Sequence, residues 1–231
     1  MSSQTKTIRT LFIVAAVLIA GAFAVVLLYA PPEQTMGLVQ KVFYFHMACA
    51  WIGMLAFLCA AVFGILYLSK KDFRWDRFEA SSVEIGLVFT LVANFSGMIW
   101  AKAAWNTWWT WDPRLTTTTI MAFTYIAYLL LRRGMDDPAK RAQFGAIYAL
   151  IGFITVPMTF FSARYLRTIH PILFGSGAEK MALTSKMVQT MGVSLVAFTV
   201  LFIALLLYRE RLMAAEEQLN ALESAQEDFD A

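Results

Sequence analysis

Six apolar stretches, near residues 11–29, 43–68, 83–100, 115–131, 143–162 and 187–208, are each long enough to cross a bilayer, and they decide what this chain can fold into. Lipid offers the backbone no hydrogen-bond partner, so each stretch must satisfy its own peptide groups as a helix, and each is too long for a barrel strand. The fold class that follows is an all-α integral membrane protein with six transmembrane helices. Composition agrees: 59% of the 231 residues are hydrophobic and 15% charged, more apolar surface than a soluble core of this size can hide. The net charge of +3 sits in short clusters between the apolar runs, which marks membrane loops and gives no reason to expect a nucleic-acid partner.

Lys6 and Arg9 precede the first run as the basic region of a signal peptide would, but that run is roughly 20 residues long, against about 7–15 for a cleaved signal. It reads as the first span. An even number of spans puts both termini on one side, where twelve of the 19 Lys and Arg residues fall. The positive-inside rule then predicts cytoplasmic termini and three external loops, 30–42, 101–114 and 163–186. On the cytoplasmic side Lys70, Lys71, Arg74 and Arg77, and then Arg132, Arg133, Lys140 and Arg141, read as charged anchors; Glu84 lies near that end of helix 3. The domain reading is a six-helix transmembrane domain over 1–208 and a cytoplasmic tail over 209–231, basic at first and acidic after Glu216. Cys49 and Cys59, ten residues apart in one run, are separated by about 15 Å on a helix and read as small apolar packing residues.

The unusual residues gather in the external loops. Five of the seven tryptophans, Trp100, Trp105, Trp108, Trp109 and Trp111, fall within twelve residues. An interfacial aromatic belt is the plain explanation for scattered tryptophans; five in one loop instead predict a continuous flat aromatic surface at headgroup level, suited to a large planar apolar ligand such as haem. Asp112 followed by Pro113 is a helix start, so Asp112 is either a cap or a ligand-positioning group, and Thr116–Thr119 satisfy the first turn. His46 and His170 are the only histidines. Both fall on the external side and bracket the tryptophan loop, an arrangement able to clamp one haem from opposite faces through its iron. Arg114 and Arg167 are the favoured cations for the haem propionates, ahead of Lys102 and Arg164.

The segment Trp105-Asn106-Thr107-Trp108-Trp109-Thr110-Trp111-Asp112-Pro113-Arg114-Leu115-Thr116 resembles the WWD signature of haem-handling proteins, with Asn106 where glycine is common. Together with Tyr44-Phe45-His46, Ala50-Trp51, Arg167-Thr168-Ile169-His170-Pro171 and the six-helix layout, it is similar to the cytochrome c maturation protein C family, also called haem exporter protein C. The resemblance covers nearly all the chain except the tail. It implies a bacterial inner-membrane protein that binds haem b at the periplasmic face through His46 and His170, with Trp105, Trp108, Trp109, Trp111, Asp112, Arg114 and Arg167 around the ligand. It also implies partners: a membrane-anchored haem chaperone (cytochrome c maturation protein E) that receives the haem, an ATP-binding subunit, a second membrane subunit and a small single-span subunit of an ABC-type complex. Such a protein is not an enzyme, and the absence of a phosphate-binding glycine loop here fits ATP hydrolysis on another chain.

Two other classes fit less well. A quinol-oxidising membrane cytochrome b would need histidines for haems at two depths, and this chain supplies one pair. A channel or secondary transporter places ionisable residues or broken helices near the midplane, where the sequence offers only Asn94 and a kink at Pro157.

Overall fold

The computed structural model describes residues 3–33, 36–170 and 183–230. Among them there is no strand, only an isolated bridge between Glu33 and Gly37. α1 spans Ser3–Ala24 and ends in a π-helical turn, Val25–Tyr29; α2 spans Gln40–Lys70, α3 Phe73–Trp105, α4 Pro113–Arg133, α5 Pro138–Gly152, α6 Thr155–Tyr165 and α7 Ser185–Asp230. With α5 and α6 taken as one broken span, six helices are long and apolar enough to cross a membrane, as the six runs predict. Leu28, Phe95, Phe123 and Ile151 are among many large apolar side chains exposed on the outside of the bundle, and a belt this broad needs lipid as its solvent. Cys49 and Cys59 are both free.

Local chemistry sets the helix ends. Lys71 adopts the left-handed conformation (φ 54°) and its N–H closes α2 on the Tyr67 carbonyl at 2.7 Å. Asp72 then caps α3, accepting from the Arg74 amide at 2.8 Å. Asp137 caps α5 in the same way, and the amides of Lys140 and Ala139 hold its carboxyl below the usual carboxylate range. Pro157 explains the break between α5 and α6 at Phe153–Ile154. A proline has no N–H for the carbonyl four residues earlier, here that of Phe153, and its ring crowds that oxygen. The Phe153 carbonyl accepts from Val156 at 2.9 Å instead.

α2 and α3 form the central hairpin. Because lipid removes the hydrophobic drive between helices, close approach relies on small residues. An added Cβ at Gly53 would lie 2.5 Å from Thr90 Oγ1, and one at Gly86 would lie 2.9 Å from Phe57 Cε1. The ring of Phe57 stacks on that of Tyr125 from α4, centroids 3.5 Å apart and planes within 3°.

One expectation fails in this bundle. Arg132 is not an interfacial anchor; it is buried and forms a two-pronged ion pair with Asp76, at 2.6 and 2.9 Å. Gly145 makes room for it, since a Cβ there would lie 2.5 Å from the guanidinium. Next to the pair, Tyr128 donates to Glu79 Oε1 at 2.9 Å. The interior therefore holds ionisable side chains as well as the polar Asn94. At the same end of the bundle Arg209 pairs with Glu84 at 2.6 Å, Arg77 with Glu210 at 3.1 Å, and Arg211 donates to Thr5 at 2.6 Å. α7 runs through residue 208 without a break.

Removing one partner of a buried pair leaves an uncompensated charge, at a cost of about 3–5 kcal/mol, whereas replacing both by apolar groups is often neutral. Asp76→Ala is therefore expected to lower the unfolding midpoint in detergent far more than Asp76→Leu combined with Arg132→Met. Thermal unfolding of the three proteins measures this.

Candidate functional site

At the end of the bundle away from Thr5 and Arg211, α2, α3 and α4 part around a cleft. Both histidines border it. So do Trp100, Trp105 and Trp109 from the tryptophan segment, Arg114 and Leu115 from the first turn of α4, and Asn94 from α3.

His46 is fixed by the α2–α3 contact. Its Nδ1 lies 3.0 Å from the Ala93 carbonyl oxygen, which can only accept, so Nδ1 carries the proton and Nε2 keeps its lone pair. Ser96 Oγ stands 3.2 Å from the same nitrogen while its own hydroxyl donates to the Val92 carbonyl at 2.8 Å. The ring fits there because residue 97 is glycine: a Cβ would meet Cε1 at 2.9 Å. A hydrogen-bonded Nδ1–H is the usual companion of a metal-ligating imidazole, since it fixes both tautomer and ring orientation.

His170 is held differently. It follows α6 in a loop tied to the start of α4 by Asp112. Thr168 Oγ1 lies 2.7 and 2.6 Å from the two Asp112 oxygens, and the Ile169 amide donates to Oδ2 at 2.9 Å. The His170 amide donates back to Thr168 Oγ1 at 3.0 Å, closing a tight turn. Asp112 also accepts from the Arg114 amide at 2.9 Å, so this buried carboxylate both caps α4 and carries the histidine loop. Asp112 is thus the helix cap that its place before Pro113 predicts, and it also holds the loop that carries His170. Pro171 lies outside the described residues.

The other predicted residues divide. Arg114 borders the cleft, with one guanidinium nitrogen donating to the Thr159 and Phe160 carbonyls at 2.7 and 3.0 Å. Arg167 is exposed and does not line it, and Lys102 caps α3 through Asn106 Oδ1 at 2.8 Å. Trp108 and Trp111 stand outside the cleft, 54% and 81% exposed. The tryptophans also do not form one flat surface: Trp100 meets Trp105 at 83°, and Trp109 meets Trp111 at 89°. Edge-to-face contact is a preferred aromatic geometry, and a turn follows α3. Asn106 makes that turn at φ 55°, a conformation that glycine and asparagine enter most readily, so it does a glycine's work.

The profile of the family described as heme exporter protein C matches residues 1–225. The chain belongs to the heme exporter protein C family. Among its relatives, heme exporter protein C of Escherichia coli K12 is 30% identical over 79% of this chain and 74% of its own length. The Bradyrhizobium diazoefficiens protein of the same name is 28% identical over 85% of this chain and 75% of its own length. The chain is thus a multi-pass membrane protein of a family of exporter subunits, and its site residues lie within the matched stretch. Gly97, Ser96 and Thr168 are the site residues that sequence reading missed. Gly97 and Ser96 carry no signal until α2 is docked on α3, whereas Thr168, two residues before His170, is recognisable as a turn former.

Two outcomes are expected. Nitrogen NMR of isotope-labelled histidine should find His46 as the single Nδ1–H tautomer, and Gly97→Val should abolish that single state. Thr168→Val should raise hydrogen exchange at Ile169 and His170 with little change at α4. Asp112→Ala should raise exchange at both, because it also removes a helix cap worth about 0.5–2 kcal/mol.

Proposed function

We propose that this protein binds haem b between His46 and His170 at the periplasmic face of the bacterial inner membrane and presents it to a membrane-anchored haem chaperone for cytochrome c maturation. In this reading it is a haem-binding and delivery subunit of an ABC-type complex, not an enzyme, and ATP is hydrolysed on a separate subunit. The observation that carries the proposal is that the only two histidines of the chain border one cleft, with the His46 lone pair left on Nε2. The relatives' shared name, heme exporter protein C, adds independent support. The periplasmic placement rests on the distribution of Lys and Arg.

Haem is the cargo, and the residues of this chain have separate tasks. His46, seated on two packed helices, offers an oriented axial ligand that needs no proton removed. His170 supplies the opposing ligand from a tethered loop. Trp105 and Trp109 give the macrocycle an apolar aromatic wall, and Arg114 offers the guanidinium nitrogens not used on α6 to a propionate. Trp108 and Trp111, exposed beside the cleft, form the surface that the chaperone approaches. Ligation by two neutral imidazoles gives a low-spin iron whose bond to either side can be exchanged for a ligand of the acceptor.

The test is the visible spectrum of the purified protein with haem quantified per polypeptide. Wild type is expected to show a low-spin Soret and α/β pattern, and His46→Ala and His170→Ala each to lose it. Trp109→Ala should perturb the spectrum while Trp111→Ala leaves it intact and slows transfer to the purified chaperone. Haem bound with unchanged spectra in both histidine variants would sink the assignment.

A further inference from the structure

Asn94 stands near the middle of the α3 apolar run, about 16 Å along the helix from Trp105 at its external end. An amide at that depth is costly unless it is hydrogen-bonded, and the usual partner is a polar group on a neighbouring helix. No such link forms: among the described residues the Asn94 side chain makes no hydrogen bond, and it borders the cleft instead. Two threonines border the cleft as well, but both are otherwise placed. Thr118 Oγ1 donates to the Arg114 carbonyl at 2.7 Å, and the buried Thr90 Oγ1 is covered by α2 at Gly53, where a Cβ would lie 2.5 Å away. Of the three, Asn94 leaves its hydrogen-bonding groups to whatever fills the cleft.

What faces Asn94 follows from the register of α3 and α4. The two helices run antiparallel, with Asp76 against Arg132 and Glu79 against Tyr128. Continued about four turns toward the external end, that register brings Asn94 level with Arg114 on the other wall of the cleft. The same turn of α3 seats His46, whose Nδ1 lies 3.0 Å from the carbonyl oxygen of Ala93, the residue before Asn94. The imidazole, the amide and the guanidinium therefore share one level of the cleft, each supplied by a different helix.

We propose that Asn94 binds the cargo directly, donating from its side-chain amide to a porphyrin carboxylate that Arg114 holds from α4. The inference rests on the haem reading and sharpens it. Apart from the metal and the nitrogens bound to it, haem b is apolar except for its two propionates, so an amide that faces the ring's edge finds its partner there. A neutral donor suits the depth: it adds a hydrogen bond to a carboxylate already paired with a guanidinium, without a second cation that would itself need burial. Asn94 thereby orients the ring about its iron, a task that the two histidines cannot perform, because an axial bond leaves rotation free.

The experiment titrates the full-length protein in mild detergent with iron protoporphyrin IX and with its dimethyl ester, which keeps ring and iron but presents no carboxylate. Wild type should prefer the free acid. Asn94→Leu should reduce that preference about tenfold or more while keeping the low-spin spectrum. The preference is a ratio taken within one protein, so a misfolded fraction, which withholds both porphyrins alike, does not imitate the result. A second readout needs no variant to bind: nitrogen NMR of labelled asparagine should show the Asn94 side-chain amide of wild type shifting with zinc protoporphyrin IX and shifting less with its dimethyl ester. An unchanged preference in Asn94→Leu, or an amide that responds equally to acid and ester, would overturn the assignment of Asn94 while the histidine-dependent spectrum still stands. A wild type that binds neither porphyrin would remove the haem reading and this inference with it.

Discussion

Close contact between α2 and α3 is the constraint from which the rest of this structure follows. In lipid the two helices gain little by hiding apolar surface from water, so they hold together by packing at short range. Gly53, Gly86 and Gly97 occupy points where a methyl group would collide with Thr90, Phe57 and His46 respectively. The same proximity puts the His46 ring within reach of the Ala93 carbonyl, whose second lone pair remains available after its helical bond. Helix packing and the orientation of the imidazole are therefore one feature. A change that pushed the helices apart would alter the imidazole before it altered the cleft.

The far end of the bundle is organised by charge. Asp76 and Arg132 satisfy one another in two hydrogen bonds, and Gly145 leaves space for the guanidinium. A buried pair of this kind adds little net stability compared with apolar packing, but it penalises misalignment of α3 against α4, because any slip leaves two bare charges. The register of α4 matters for the cleft, since its first turn carries Arg114 and Leu115. The ion pair and the cleft-lining residues sit at opposite ends of one helix.

Much of this was legible in the sequence. Six helices follow from the apolar runs, and the start of α4 from Asp112-Pro113, because both signals are local. His46, His170, Trp105, Trp109 and Arg114 were recognisable through rarity and clustering, and they do meet at one cleft. Arg132 was misread because counting cations in a loop treats every arginine alike, and only the docked neighbour Asp76 distinguishes a buried one. The flat tryptophan surface failed for a related reason: spacing along the chain fixes which rings are near, whereas their tilt is set by edge-to-face contact between neighbours. Gly97 and Ser96 were silent since their role exists only across a helix interface.

The two histidines are mounted with unequal stiffness. One jaw of this vice is cast into a pair of helices; the other hangs from a single carboxylate that must serve α4 as well. Letting go of the hanging jaw sacrifices the contacts that Asp112 makes with Thr168 and Ile169 but leaves its bond to the Arg114 amide intact, so the jaw can open without unravelling the hinge. The two sides of the cleft thus resist displacement unequally, and the loop side yields first.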